Sequence, residues 1–222
     1  MRFLSVLFLT VAVSFADDKS DAVARLEDAA AIFEEIMATP DKGIPQELLE
    51  KAHCAVVIPD MKKGAFILGG KYGKGYLTCR NESRPGWSAP GTVRIEGGSV
   101  GFQIGVSGTD VIMLVMNKRG VDKLLSSKFT LGGAGEVAAG PVGRSATADT
   151  DAHLRAEILS WSRSRGLFAG LSLQGATLRQ DLDDNRALYG KKLENREIVR
   201  GGVAAPPSAS KLLSLLGKYS PK

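Results

Sequence analysis

Ser99 stands in the stretch GGSVG, Gly97 to Gly101, which fits the nucleophile pattern G-x-S-x-G. Asp110 and His153 follow it in the Ser–Asp–His order of the α/β-hydrolases. That chemistry needs a strand before the serine and a helix after it, because the helix start supports the oxyanion site. Here TVRIE leads in as a strand, but VGFQIGV leads out as another strand. The expectation is therefore that Ser99 lies in a β turn or bulge and that no residue is catalytic, with serine hydrolysis as the remote alternative. GAGEVA (133–138) copies part of a dinucleotide fingerprint, yet AGPVG follows where a long helix is required. GGKYGKG (69–75) lacks the spacing of a phosphate-binding P-loop. DLDDN begins like a calcium loop at Asp181, Asp183 and Asn185, but Arg186 and Lys192 occupy the glycine and glutamate positions. A helix-capping cluster explains that stretch better.

Six cations fall in or beside predicted β turns: Lys62, Lys63, Lys71, Lys74, Arg163 and Arg165. If folding gathers them, glycine-rich turns add backbone N–H groups and the arginines add forked donors, which together would hold phosphate or another anion. If it does not, they are unrelated solvated turn residues. Cys54 and Cys79 sit in apolar, strand-like runs. They form either a disulfide, closing a loop worth about 3 kcal/mol, or two buried thiols. Two cysteines and the distant His53 and His153 do not make a metal-ligand set. No metal and no cofactor is expected.

These residues must be positioned by a chain of 222 residues with a net charge of +5. Met1 to Ala16 reads as a secretory signal: Arg2, the apolar run FLSVLFLTVAV, then Ser14 and Ala16 at the small positions before a cut. The alternative is an N-terminal helix retained in the fold. Residues 17–50 carry ten acidic and three basic side chains, whereas residues 51–222 carry 25 basic and 14 acidic ones. The basic body could attract phospholipid headgroups or an acidic protein, and export argues against nucleic acid. Equally, the acidic segment could fold back on the body as a counterweight.

Helical spacing of Val23, Leu26, Ala30, Phe33 and Met37 predicts a helix over 20–38, and PQELLEKA predicts a second short one. From Cys54 onward, short β-type runs are separated by Gly, Pro, Asn and Asp. The fold class is α+β: a Gly-rich, largely antiparallel curved sheet, barrel- or sandwich-like, with N-terminal helices and short flanking helices. A short helix is predicted at 118–127, a hairpin with Arg163 to Gly166 at its bend, and a closing helical turn capped by Gly190. Residues 191–222 read as a flexible linker followed by a short basic-apolar tail.

With these blocks in view, the chain resembles the SYLF domain family from about Lys51 to Gly190. The resemblance rests on VVIPDMKKGAFILGGKYGKG, GWSAP, GFQIGVSGTDVIMLVMN, AAGPVGR and SWSRSRGLFAGLSLQGA, ending in LYG. Trp161 stands in SWSR where relatives often have SYSR. The resemblance implies binding rather than catalysis: membrane lipids, especially phosphoinositides, and actin filaments in fungal members. Bacterial members are similar in layout, a signal preceding a lone domain. The expected ligand is therefore anionic phospholipid at a membrane surface, in an exported protein that is periplasmic or secreted if bacterial. A protein-interaction or structural envelope module is the alternative. The first helix is acidic, so the membrane role of the family's basic N-terminal segment does not carry over to it.

Overall fold

The computed structural model describes residues 7–39, 43–65, 68–81, 85–100, 105–132, 136–141, 156–164, 167–170, 173 and 175–221. Two helices come first, α1 (Leu7–Ala38) and α2 (Gln46–Lys51). Four long strands follow: β1 (Cys54–Ala65), β2 (Leu68–Cys79), β3 (Gly91–Val100) and β4 (Gly105–Val115). After α3 (Lys118–Leu124) come the shorter strands β5 (Lys128–Thr130), β6 (Val137–Ala139), β7 (Ile158–Ser164), β8 (Leu167–Gly170) and β9 (Thr177–Gln180). The chain closes with α4 (Leu182–Tyr189), α5 (Asn195–Arg200), a 3-10 turn at Pro207–Ala209 and α6 (Ser210–Tyr219).

The described strands form one curled sheet in the order β5-β9-β3-β2-β1-β4-β7-β6, with β8 also paired to β7. Every described pairing is antiparallel except β6 with β7. The fold class is thus the α+β arrangement expected from the sequence. Side chains alternate across a strand, and here each alternate set finds its own core. Cys54, Val56 and Ile58 of β1 join Val111, Met113 and Val115 of β4 inside the curl, where Val121 and Leu124 of α3 close over them. Ala55 and Val57 join Ile112 and Leu114 on the outer face, under Leu26, Phe33 and Ile36 of α1. Two buried faces explain why CAVVI reads as a continuous apolar run rather than an alternating one.

β1 carries one residue more than either neighbour between Val57 and Lys62, a β-bulge at Pro59 and Asp60. Proline within a sheet belongs at such a site. Asp60 takes φ of +48°, the only non-glycine positive φ among the described residues. Asp110 of β4 accepts the Asp60 backbone N–H at 2.9 Å and so holds the bulge. A Cβ at Gly108 would lie 1.9 Å from the Asp60 carboxylate, so a side chain there would displace that carboxylate.

Several expectations are corrected. The first helix begins by Leu7 rather than at Ser20, continuing without a break through the stretch predicted as a leader. CAVVIP and MKKGA form one strand, not a strand and a turn. The 191–222 segment, expected as a linker and tail, holds α5, the 3-10 turn and α6, joined by short irregular stretches. Leu212 and Leu216 of α6 are buried against α1, and Phe33 meets Tyr219 edge to face at 6.3 Å. A ten-residue helix gains its stability from that packing rather than from its own propensity.

Candidate functional site

The hydrolase constellation does not assemble. Ser99 lies inside β3, in register with Gly69 of β2, and neither in a turn nor at a bulge. The described element after it is β4, not a helix. Asp110 belongs to β4, separated from β3 by two strands in the sheet order. Its carboxylate is already engaged, by the Asp60 N–H and by Arg163 Nε at 2.7 Å. His153 lies outside the described residues.

The six predicted anion-binding cations divide. Arg165 is outside the described residues. Arg163 is in β7 rather than at a bend, directly opposite Asp110 in register. Its guanidinium bonds both Asp110 and Glu35 of α1, so it ties the helix to the sheet. Burial opposes the charged form of Arg163, but hydrogen bonds from these two carboxylates outweigh that and raise its pKa. Lys62 pairs with Asp60 across the bulge. Lys63 and Lys71 face each other in register on β1 and β2. Lys71 is three residues from Lys74, so the two project from opposite faces of the strand.

Lys74 is the most heavily engaged. On the outer face it reaches Asp184 at 2.8 Å and Asp181 at 3.2 Å, and Arg25 of α1 meets Asp184 at 2.5 Å. Burial by itself would lower the Lys74 pKa; the hydrogen bond and charge of Asp184, then Asp181, reverse this and raise it. Asp181 caps α4 by accepting the Asp184 N–H, and Gly190 ends that helix with φ of +74°, as the sequence indicated. Tyr76, two residues from Lys74, donates to the Ala22 carbonyl, and burial pushes its hydroxyl well above the ordinary pKa. Two cations thus meet two carboxylates at the α1–sheet seam. An open cleft of about 340 Å³ borders this seam, with Asp21, Asp28 and Asp60 alongside Arg25, Lys62 and Tyr72. Its mixed charge makes it a poor anion receptor.

A row of cations leads away from this seam along the sheet. Lys128, Arg179, Arg94 and Lys74 are successive register partners across β5, β9, β3 and β2. Partners directly opposite share a face. The next row on that face is Thr130, Thr177, Glu96 and Tyr72. Glu96 lies 2.9 Å from Arg94 Nε and 3.5 Å from Arg179 Nε. These are ion-pair distances without hydrogen-bond alignment, and both buried Nε–H groups lack a hydrogen-bond partner. The sequence signal for this face was the alternation Val93-Arg94-Ile95-Glu96 and Leu178-Arg179, which reads as one wet and one dry side.

Cys54 and Cys79 are register partners on β1 and β2 and are joined by a disulfide within the inner core. Among the described residues there is no group of three or more His, Cys, Asp or Glu side chains able to hold a metal ion. No described helix is long and apolar enough to cross a membrane.

Known proteins match this arrangement. The Ysc84 family model, described as a Las17-binding protein actin regulator, matches residues 96–219. SH3 domain-containing YSC84-like protein 1 of Xenopus laevis is 34% identical over 82% of this chain and 55% of its own length. Protein YSC84 of Saccharomyces cerevisiae is 34% identical over 79% of this chain and 38% of its own. The human YSC84-like protein 1 is 32% identical, over 82% and 53%. The chain spans about half the length of the curated relatives it matches, or less.

Proposed function

The chain belongs to the Ysc84 family, the same family as the SYLF resemblance, and we propose that it acts as a non-catalytic interaction module that binds anionic phospholipid at a membrane surface. One observation carries this reading. The acidic α1 neutralises the basic body on one side only, through Glu34 with Lys211 and Glu35 with Arg163. The surplus positive charge remains on the outer face of β3, β9 and β5, where Lys128 is exposed and Arg94 and Arg179 are partly so. Clustered cations near an anionic bilayer contribute about 1 kcal/mol each. The chemistry asks for no bond making or breaking, and Gly97 to Val100 of the G-x-S-x-G stretch lie in β3, paired with β2.

Co-sedimentation with vesicles tests the reading. Binding to phosphatidylcholine vesicles doped with phosphatidylglycerol, absent with phosphatidylcholine alone and lost at high salt, is the expected result. Equal sedimentation with both vesicle types would count against it. Export belongs to the same proposal: a disulfide persists in oxidising compartments, and an exported protein would meet phospholipid at the envelope surface. N-terminal sequencing of material recovered outside the cytoplasm, beginning at Asp17, would support export.

A polypeptide partner is the second reading. It is favoured by the description of the family as Las17-binding and by relatives such as LAS seventeen-binding protein 3 of Saccharomyces cerevisiae, 33% identical over 79% of this chain. A partner captured without lipid, together with indifference to anionic vesicles, would select it.

A further inference from the structure

We propose that the row Arg94, Arg179 and Lys128, with Tyr72 at its side, is the strip of the sheet that meets lipid headgroups. The inference rests on the phospholipid reading above and assigns it a place that neither the family match nor the predicted lysine turns provide.

The geometry supports it in four ways. First, the three cations come from adjacent strands at one register level, so they stand about 5 Å apart in a line about 10 Å long. That is a linear array on a sheet face, suited to a plane of headgroups. Second, the charge is unbalanced: the row of three cations has one carboxylate beside it, Glu96, which pairs with Arg94 and Arg179, whereas at the α1 seam Arg25 and Lys74 share two, Asp181 and Asp184. Third, Glu96 approaches only the Nε side of each guanidinium, and no described group bonds their terminal nitrogens. A guanidinium held by one edge presents its other donors as a fork to a phosphate oxygen. Fourth, Tyr72 is the exposed large hydrophobic side chain among the described residues, at 48% exposure, and it is the register partner of Glu96 on this face. A tyrosine beside cations suits the boundary between headgroup and acyl chain, where an aromatic ring is at once apolar and polar. An acidic peptide would account for the arginines but gives no role to the exposed ring.

The strip also has a defined end. Past Arg94 the row reaches Lys74, already neutralised by Asp181 and Asp184, and beyond it lie Asp21 and Asp28 of α1. Negative charge there repels an anionic bilayer. Contact is therefore confined to the β5–β9–β3 side with Tyr72 at its border.

The test is titration of the full chain with phosphatidylcholine vesicles containing phosphatidylglycerol. The double variant Arg94→Gln/Arg179→Gln is expected to lose about 30-fold in affinity, the effect of two surface cations. Lys118→Gln/Lys218→Gln removes the same charge from exposed positions on α3 and α6, and is expected to lose less than about threefold because those positions do not face the bilayer. Glu96→Gln moves the other way and binds more tightly than the wild type, an outcome that a folding defect cannot imitate. Equal losses in the two double variants, or an arginine double that binds like the wild type, would overturn the strip while leaving the phospholipid reading standing. Indifference of the wild-type chain to anionic vesicles overturns both.

Discussion

The outer face of the sheet has two halves. Over β1 and β4 the outward positions are Ala55, Val57, Ile112 and Leu114, and α1 lies on them. Over β3 and β9 the equivalent positions are Arg94, Glu96, Thr177 and Arg179, and they meet solvent. The inward positions on both halves are apolar, with Val93, Ile95 and Leu178 continuing the core of Val56 and Met113. One curled sheet thus uses half of its outer surface for packing and leaves the other half open to solvent. The charge pattern follows the same division: two cations against two carboxylates at the α1 seam, and three against one on the open half. The difference shows that a cation's presence in the sequence says little until its counter-charges are located.

That comparison can be broken most forcefully on the covered half. Phe33 is fully buried against the sheet, and Phe33→Ala is expected to cost about 4 kcal/mol in urea unfolding, the usual loss for a large aromatic core truncation. A cost below about 1 kcal/mol would mean that α1 is not an integral layer. Opening the Cys54–Cys79 bridge, which spans 25 residues, is expected to remove about 3 kcal/mol when reduced and oxidised chains are compared by denaturant titration.

Lys74→Met addresses the seam. It leaves the almost fully buried Asp181 without its cation, and a loss of about 2 kcal/mol is expected once the partial exposure of Lys74 is allowed for. The sign of the pH dependence follows from the raised Lys74 pKa. Its stabilising contribution is complete below the unfolded lysine value of 10.5 and is lost as pH climbs through the higher folded value. Melting temperature should therefore fall in the alkaline range for the wild type and respond less steeply in Lys74→Met. The smallest stability effect belongs to the open half. Arg94→Gln/Arg179→Gln is expected to stay within about 0.5 kcal/mol of wild type, since partly exposed pairs contribute little to folding. A large destabilisation there would erase the distinction between the two halves.

Much of the framework was readable in the chain. Runs such as CAVVI and DVIMLV gave strands, Gly190 closed a helix, and the SYLF-like blocks pointed to the family to which the chain belongs. The tail was misread because KLLSLLGKY is too short to hold a helix alone; its stability comes from α1, nearly 180 residues earlier in the chain. Lys74 and Arg163 were placed among ligand-binding cations because their carboxylates, Asp184 and Glu35, lie more than 100 residues away in sequence. Arg94, Arg179 and Lys128 escaped notice for the converse reason. Each sits in a different segment, and only the pairing of β3 and β5 on either side of β9 sets them in line.

The extra residue at Pro59–Asp60 works as a phase correction. Before it, even-numbered residues such as Val56 and Ile58 point inward; after it, Met61 does. Deleting Asp60 would place Val56, Ile58 and Met61 on an unbroken two-residue rhythm, all three still inward and Lys62 still outward. A codon lost at that spot should therefore cost the bulge and its Asp110 contact but keep the facing of the strand, whereas a codon gained there would invert the far end of β1.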